Sequence, residues 1–524
     1  MHRTPMRRNG THRILSAVAI FAFMFGSTAN AELQLAALFS DSMVIQRDQP
    51  VKVWGWATAG SEVKVAIDGQ QHIATADDRG KWTTDLSKMP AGGPYTLTVS
   101  DDTDTVTIKD ILVGEVWLCS GQSNMAMTVA RSKNAAKETA NAKHPQIRMF
   151  KVTSGHSMAP KEKCAGEWTV CRPSTVGNFS ATAYFFGRRL HKELNVPIGL
   201  INSSVGGTSV ESWTSMPAQS KVAAIQPRLD AWKASDSKFD AATAKTKYEA
   251  ALARWKTKVA DARAKGNKTP RKPSLPTAPR NDRNYPANLF NGKINPLVGY
   301  SIKGAIWYQG ENSSGRGFSH LYGDQLSTLI NDWRSRWGRG DFPFAWVQLP
   351  NFRAAQKQPS ETNGWSLVQE GMLKTLSLSH TGMAVTIDVG EAKDIHPKDK
   401  QSVGHRLAQW ALADVYQKDM IAMGPIYHSS KIEGSKVIID FKFADGLMSK
   451  TDKPEGFAIC GPDKKFVWAD ATIDGNSVIV SSKQVSEPVS VRYAWAANPK
   501  FSLFNKAGIP ASPFRTDEWQ EQGK

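Results

Sequence analysis

Apolar and polar side chains alternate along the first part of the chain, residues 32–112. Segments such as VKVWGWA, EVKVAI and YTLTVS place an apolar side chain at every second position, and turns rich in Gly, Asp and Pro separate them. A period of two puts successive side chains on opposite faces of a strand. The stretch has no helical period, so it predicts an N-terminal β-sandwich.

The pattern changes after residue 112. GEVWLCSG, IGLINSSVGG, IKGAIWYQGE, PFAWVQLPNF and GMAVTIDVG are nearly continuous apolar runs that end in polar or glycine residues, and helix-like stretches lie between them. Buried strands alternating with helices predict an α/β domain with a parallel sheet over residues 113–424. Functional groups of such sheets gather beyond the carboxyl ends of the strands. After about residue 425 the alternation returns, in SKVIIDFKF and VSVRYAW, and predicts a C-terminal β-region over residues 425–524.

A basic helical insertion is predicted within the α/β domain, at about residues 219–284. Tyr248, Leu252, Trp255 and Val259 recur at spacings of 4, 3 and 4, which is typical of an amphipathic helix. Of the formal net charge of +18, much lies here, since residues 221–283 hold 16 Lys and Arg against 6 Asp and Glu. We interpret this charge as a solvated helix face. A polyanion-binding surface is the alternative, but it would need interleaved aromatic residues, so we predict no nucleic-acid partner.

The first 31 residues have the features of a signal peptide. Four arginines precede an apolar run over residues 14–25, and Ala29-Asn30-Ala31 has the small residues of a cleavage site. We therefore expect an exported protein, periplasmic or secreted. No later run reaches the roughly 18 apolar residues of a membrane span.

The four cysteines fit an exported protein in which disulfides are permitted. Cys164 and Cys171 lie close together in the sequence and are candidates to close a small loop, with two free thiols as the alternative. Cys119 and Cys460 lie in apolar runs and are expected to be buried. The Cys and His spacings do not match a zinc motif, so no metal site is predicted.

Ser123 is the first candidate for chemistry, in the segment VWLCSGQSNM. It follows a predicted strand and precedes a predicted helix, so its hydroxyl is expected to be exposed on the connecting turn. A helix-capping serine is the alternative. The segment differs from the Gly-x-Ser-x-Gly motif of another hydrolase fold, because Met125 replaces the last glycine.

His396 is the candidate base for such a nucleophile. It lies in DVGEAKDIHPKDK, two residues after Asp394 and directly before Pro397. A carboxylate beside an imidazole fixes its tautomer and stabilises the imidazolium that forms when a serine is deprotonated. An ordinary surface-loop histidine is the alternative. His396 and His405 could also suggest a metal pair, but no third ligand has a suitable spacing.

An ester hydrolase also needs donors for the developing oxyanion. Gly206 and Gly207 in NSSVGGTS and Gln309 in WYQGENSS follow two further predicted strands. Glycine permits close backbone approach, and a glutamine amide can donate a hydrogen bond. Simple turns are the alternative for both segments. Ser203 and Ser204 are rival nucleophiles that we rank below Ser123.

Four short blocks, SGQSNM, NSSVGGTSVESW, WYQGEN and DIHP, occur in this order. Together they resemble the blocks of the SGNH-hydrolase superfamily, and more closely its sialate O-acetylesterase-type branch of carbohydrate acetylesterases. LFSDSMVIQRDQPVKVWGWA and VRYAWAANPKFSLFNKAGIPASPFRTD are also similar to that branch, so the resemblance covers nearly the whole chain after the signal peptide. It implies an SGNH-hydrolase-like three-layer α/β domain with a parallel sheet, flanked by the two β-regions.

The resemblance also implies roles for individual residues. Ser123 is expected to be the nucleophile, His396 the general base and Asp394 the acid that orients the histidine. Superfamily members often have Asp-x-x-His, whereas this chain has Asp-Ile-His. Asp388, at the end of the preceding strand, is therefore the alternative acid.

For the oxyanion hole the resemblance implies the backbone N–H groups of Ser123 and Gly206 and the side chain of Gln309. The usual donor from the third block of the superfamily is asparagine, so Asn312 is the alternative to Gln309. Glu311 is expected to have a supporting role.

The activity implied is removal of O-acetyl groups from carbohydrates through an acetyl-enzyme, without a cofactor. O-acetylated sialic acid and acetylated hemicellulose such as xylan are the two substrate classes, and an exported chain with flanking β-regions favours the second. Trp213, Trp307 and Trp365 are candidates to stack on sugar rings, with core packing as the alternative. The rival hypothesis is a non-catalytic carbohydrate-binding protein with an inactive hydrolase core. The oligomeric state is not predicted.

Overall fold

The computed structural model describes residues 1–2, 32–315 and 317–520. The predicted signal peptide, apart from its first two residues, lies outside the described residues.

The N-terminal region consists of strands in two sheets. The strands are β1 (Gln34–Leu35), β2 (Val44–Gln46), β3 (Val51–Trp56), β4 (Glu62–Ile67), β5 (Gln70–Thr75), β6 (Lys81–Leu86), β7 (Gly92–Ser100) and β8 (Thr105–Gly121). One sheet has the order β1-β3-β6, while β2, β4, β5 and β7 join the sheet that contains β8. In β4 the side chains of Val63, Val65 and Ile67 are buried and those between them are more exposed, as the alternation predicts.

Strand β8 joins this region to the α/β domain. Its first part pairs antiparallel with β7, its last seven residues, 115–121, pair parallel with β11, and residues 117–121 also pair parallel with β12. Glu115, buried within β8, accepts hydrogen bonds from Gln46 Nε2 at 3.0 Å and from Arg47 Nε at 2.5 Å. The domain boundary expected at residues 112 and 113 therefore lies inside a continuous strand.

The α/β domain contains the strands β9 (His144–Lys151), β10 (Trp168–Cys171), β11 (Ile198–Ser204), β12 (Gly304–Tyr308), β13 (Phe344–Val347) and β14 (Thr381–Ala384). Their order is β10-β9-β11-β8-β12-β13-β14. All neighbours from β9 to β14 run parallel, and β10 runs antiparallel at the edge. The chain places β11 on one side of β8 and β12 on the other, which creates a crevice at the carboxyl end of β8.

The helices are α1 (Ser123–Ala126), α2 (Ala135–Ala140), α3 (Ala181–Leu194), α4 (Met216–Gln219), α5 (Gln226–Ser237), α6 (Ala241–Ala264), α7 (Tyr322–Trp337), α8 (Gly364–Lys374) and α9 (Lys400–Trp410). Helices α3 and α9 cover one face of the sheet, where Phe186 and Trp410 pack edge-on against Trp117 of β8. On the other face Trp333 of α7 packs edge-on against Trp307 of β12. These two faces confirm the predicted three-layer α/β fold.

The basic insertion is helical. It begins near α4 and contains α5 and α6, and the Pro- and Lys-rich residues that follow form an irregular loop. Val259 is the only buried residue along α6, and Trp255 Nε1 donates to the carbonyl of Pro270 in the following loop at 2.8 Å. Helix α5 is held more firmly, because Arg228 and Trp232 both bond to the buried Glu211 carboxylate.

The C-terminal region is again all-β. Its strands are β15 (Ile426–Glu433), β16 (Lys436–Lys442), β17 (Met448–Ser449), β18 (Phe457–Cys460), β19 (Val467–Trp468), β20 (Asp470–Asp474), β21 (Ser477–Ser481), β22 (Ser490–Tyr493), β23 (Leu503–Phe504) and β24 (Phe514–Arg515). They form sheets in the orders β15-β16-β21-β20 and β19-β18-β22-β24, with β17 paired to β23. This agrees with the expected C-terminal β-region.

Several expectations about single residues are also answered. Cys164 and Cys171 are free thiols, so the disulfide considered for them does not form, and Cys119 and Cys460 are buried as expected. Among the described residues, no helix is long and apolar enough to span a membrane.

Candidate active site

Three neighbouring strands end at the same edge of the sheet and deliver the candidate residues. Ser123 follows β8, Gly206 follows β11 and Gln309 follows β12. Because β11, β8 and β12 are adjacent and parallel, their carboxyl ends bring the three segments together.

The turn from β8 into α1 depends on Gly121. Its φ is +137°, and a Cβ atom there would lie 2.1 Å from the carbonyl oxygen of Tyr308. Only glycine fits this position, since any other residue would be strained and would clash. The N–H of Gln122 donates to the same carbonyl at 2.9 Å, and Ser123 follows as the first residue of α1. The backbone therefore fixes Ser123 at the end of its strand.

Ser123 and His396 are brought together across the site. The loop between β14 and α9 carries His396, whose Nε2 lies 2.8 Å from Ser123 Oγ. Ser123 is partly exposed, and 34% of the His396 side chain is accessible to solvent. This is hydrogen-bond distance between a hydroxyl and the base that can take its proton.

The two candidate acids have different environments. Asp394 Oδ1 lies 3.5 Å from His396 Nδ1 and accepts a hydrogen bond from the backbone N–H of His396 at 2.9 Å. Asp388 instead binds both terminal nitrogens of the Arg406 guanidinium, at 2.6 and 2.7 Å. Asp394 is thus beside the histidine, and Asp388 is engaged in a bidentate ion pair.

Gly206 lies against the serine. A Cβ atom on Gly206 would be 3.3 Å from Ser123 Cβ, closer than most real Cβ contacts. Neither the N–H of Gly206 nor that of Ser123 has an acceptor among the described residues. Both donors are therefore available to a ligand at this position.

Gln309 and Asn312 both bond to the loop that carries Gly206. Gln309 is fully buried, with Nε2 donating to the carbonyl of Thr208 at 2.9 Å and Oε1 accepting from Tyr322 Oη at 2.8 Å. Asn312 Nδ2 donates to the carbonyl of Gly207 at 2.6 Å. Gln309 Nε2 also donates to Ser313 Oγ at 3.3 Å, so Gln309 would have to redirect one N–H to bind an oxyanion.

The other residues that the sequence suggested for catalysis or metal binding bond to other groups. Ser203 Oγ donates to the carbonyl of Lys293, and Ser204 Oγ donates to Asn202 Oδ1, each at 3.0 Å. His405 contacts Arg189. Within residues 32–315 and 317–520, no group of three His, Cys, Asp or Glu side chains is arranged to hold a metal ion.

Trp213, Trp307 and Trp365 are not available for sugar stacking, because all three are buried. The alternative considered for these tryptophans, packing in the core, is correct.

A buried polar cluster, formed by Gln122, Asn124, Glu311 and Lys400, lies beneath the serine. Glu311 accepts hydrogen bonds from the side chains of Gln122 and Asn124, and Lys400 Nζ donates to Asn124 Oδ1 at 2.7 Å. Burial lowers the pKa of Lys400 to about 7, although the Glu311 carboxylate opposes this shift. Glu311 was expected to support the site, whereas Lys400 was missed, since nothing in HPKDK distinguishes a buried lysine from a surface lysine.

Arg283 was also missed. Its Nη2 lies 3.6 Å from the position of a Cβ atom on Gly207, and its side chain is exposed. No ion-pair partner is found for it in the part of the chain that the structure describes. The backbone next to Arg283 is held in place because the adjacent Asn284 accepts a hydrogen bond from the N–H of Ser209 at 2.9 Å.

Comparison with known proteins shows the family to which the chain belongs. The family model described as "carbohydrate esterase, sialic acid-specific acetylesterase" matches residues 113–266 and 286–413, which is more than half of the chain. The chain belongs to this family. It is a carbohydrate esterase, and removal of O-acetyl groups from carbohydrates is the activity that the family supports.

Relatives of this carbohydrate esterase are similar over most of their length. A crystal structure of a carbohydrate acetylesterase from Xanthomonas citri is 34% identical and has a TM-score of 0.79, with 93% of this chain and 100% of that chain covered. The sialate O-acetylesterase of Rattus norvegicus is 27% identical, over 93% of this chain and 94% of the relative. That of Homo sapiens is also 27% identical, over 93% of both chains.

Proposed function

We propose that this esterase removes acetyl groups by covalent catalysis, with Ser123 as the nucleophile. The observation that carries this proposal is the 2.8 Å distance between Ser123 Oγ and His396 Nε2. His396 takes the proton of Ser123 as Oγ attacks the acetyl carbonyl carbon. The tetrahedral intermediate then loses the sugar oxygen, which receives that proton, and an acetyl-enzyme remains.

The second half of the reaction uses the same residues. His396 removes a proton from a water molecule, whose oxygen attacks the acetyl carbon. The Ser123 Oγ–carbon bond then breaks, Oγ takes the proton from His396, and acetate is released. Asp394 orients His396 and stabilises its protonated form. The N–H groups of Ser123 and Gly206, together with Gln309, stabilise the oxyanion in both halves.

Hemicellulose-type oligosaccharides are the proposed substrate of an exported enzyme. The exposed fractions of His396 and Asp394, 34% and 45%, support this choice because an open site admits an internal residue of a sugar chain. The arginines and apolar run of residues 1–31 support export, to the periplasm or outside the cell.

O-acetylated sialic acid is a second candidate substrate, and Arg283 favours it. A guanidinium near Gly207 can bind a sugar carboxylate through two hydrogen bonds. Sialic acid carries such a carboxylate, and a neutral hemicellulose sugar does not.

The mechanism is tested by comparing acetate release from p-nitrophenyl acetate by the wild type and Ser123→Ala. We expect loss of nearly all activity in the variant, and mass spectrometry of the wild type after rapid quenching should show one acetyl group on the peptide that contains Ser123. Equal acetate release by the two proteins would contradict the proposal. No release by either would favour the non-catalytic carbohydrate-binding hypothesis.

The substrate is tested with acetylated xylan oligosaccharides and O-acetylated sialic acid side by side. If the acidic sugar is the substrate, Arg283→Gln should raise KM for it about tenfold or more and leave turnover of p-nitrophenyl acetate unchanged. Arg271→Gln, an exposed arginine of the same insertion, is the matched control. Preference for xylan and no effect of Arg283→Gln would support the hemicellulose assignment.

A further inference from the structure

Lys400 occupies an unfavourable position for a cation. It is the first residue of α9, and its side chain has no solvent exposure. Burial removes the ammonium from water, and the positive end of the helix dipole adds repulsion. A lysine is retained in such surroundings when specific partners need it.

The partners of Lys400 come from several segments. Its Nζ donates to Asn124 Oδ1 at 2.7 Å and lies 5.1 Å from the ring centre of Tyr308. The nearby carboxylates that favour its charged form are those of Glu311, Glu391, Asp394 and Asp399. Of these, Glu311 has the strongest influence and is itself buried.

Lys400 determines how the Asn124 amide is oriented. When Lys400 is protonated its ammonium group only donates hydrogen bonds, so the oxygen of the amide must face it. The amide nitrogen then faces two groups that only accept, the Glu311 carboxylate and the carbonyl of Ile395, which lies 3.0 Å away. With the amide reversed, its nitrogen would face the ammonium, donor against donor, and its oxygen would face two acceptors.

These bonds hold the residues on either side of the reacting groups. Gln122 and Asn124 flank Ser123, and each donates to one oxygen of Glu311. Ile395 directly precedes His396, and its carbonyl is bound by Asn124. The buried polar cluster thus connects the serine turn, the segment after β12 and the histidine loop.

We propose that Lys400 is a positioning residue of the esterase: by orienting Asn124 towards Glu311 and Ile395, it keeps Ser123 Oγ within reach of His396 Nε2. The proposal rests on the roles of Ser123 and His396 given above. A small displacement of either group matters, because about 1 Å of misplacement costs about 10²-fold in rate.

The test replaces Lys400 by Met, which keeps the length and removes the donor. We expect kcat on p-nitrophenyl acetate to fall about 10²-fold while KM changes less than about twofold, since Lys400 does not contact the substrate. Lys398→Met is the matched control, because Lys398 is exposed on the same loop, and it should retain wild-type kcat. Unchanged kcat in a folded Lys400→Met variant would overturn the proposal.

A coupling measurement separates positioning from a general loss of packing. If Glu311 and Lys400 act as one unit, Glu311→Gln and Lys400→Met combined should lower kcat about as much as the worse single change, and their effects should not multiply. Multiplied effects would show independent roles and overturn the proposal. If Lys400→Met does not fold, Lys400→Leu, which also lacks a donor, takes its place in both measurements. Activity in Ser123→Ala, by contrast, would contradict the proposed function itself.

Discussion

Positive charge is used in opposite ways by the basic insertion and by the catalytic edge, which is the edge of the sheet where β11, β8 and β12 end beside the proposed nucleophile Ser123. At the catalytic edge one buried lysine, Lys400, bonds to Asn124 at 2.7 Å, and its cluster connects three segments of the site. The insertion holds 16 Lys and Arg between residues 221 and 283, and the charged side chains of α6 are exposed. Exposed charges are solvated and screened, whereas a buried charge must have partners.

This difference shows that the number of charged residues in a segment does not predict how strongly that segment affects the candidate active site. The insertion is joined to the site loop by Arg228 and Trp232, which bond to Glu211, and by Asn284, which bonds to Ser209. Its Arg283 lies near Gly207, and its remaining cations make no hydrogen bond or ion pair with the candidate catalytic residues. We therefore expect sensitivity to substitution to be concentrated at the catalytic edge.

The largest effect beyond loss of the nucleophile is expected for Gln309→Ala. Removing one oxyanion donor typically lowers kcat by about 10²–10³. The measurement is kcat on p-nitrophenyl acetate, with Asn312→Ala as the matched control on the same loop. A greater loss in Asn312→Ala than in Gln309→Ala would identify Asn312 as the donor.

Asp394→Asn should lower kcat by about 10², less than for a fully buried triad acid, because 45% of the Asp394 side chain is exposed. Its melting temperature should change little. Asp388→Asn should have the opposite profile, with kcat retained and the melting temperature lowered, since it breaks the bidentate pair with Arg406. The reverse pattern would make Asp388 the catalytic acid.

Lys400 should also make stability depend on pH. Its pKa is lowered from 10.5 to about 7 in the folded protein, so between these values the unfolded chain binds the extra proton. The free energy of unfolding should therefore rise with pH across this window, by about 1.4 kcal/mol per pH unit relative to Lys400→Met. Denaturant titrations of both proteins between pH 7 and 10 measure this difference. A difference that stays constant would show that Lys400 titrates normally.

The smallest effect is expected in the insertion. Replacing the exposed Lys245, Lys247, Lys256 and Lys258 by Gln should change kcat and KM for p-nitrophenyl acetate by less than about twofold, because exposed charges contribute little. The same variant should be assayed on acetylated xylan. A large rise in KM for the polymer alone would show that the insertion binds the substrate. It would contradict the expectation that the exposed charges of the insertion contribute little.

The sequence predicted the layers of the fold because each has a distinct hydrophobic period. Alternation identified the two β-regions, and continuous apolar runs such as GEVWLCSG identified the parallel strands. Helix α7 (Tyr322–Trp337) lies between two of these strands, as the helix-like stretches between the apolar runs predicted. The boundary near residue 112 was harder, because β8 changes from a half-exposed strand to a fully buried one without ending.

The candidate site was predictable where a residue follows directly after a strand, as Ser123, Gly206 and Gln309 do. The roles of Lys400 and Arg283 could not be predicted, because they depend on which distant segments the fold places beside these residues. The choice between Asp394 and Asp388 as the acid that orients His396 also depends on the fold. Asp394 and Asp388 are both close to His396 in sequence, and only the structure shows Asp388 bound to Arg406.

Strand β8 has a consequence for how this enzyme can be divided or recombined. Residues 105–121 form one strand that begins in the N-terminal β-region and ends two residues before Ser123. Truncation at residue 113 would cut this strand and leave Glu115 without Gln46 and Arg47. The N-terminal β-region is therefore not an interchangeable module, and any shortened or recombined chain must keep this region together with Ser123, the proposed nucleophile.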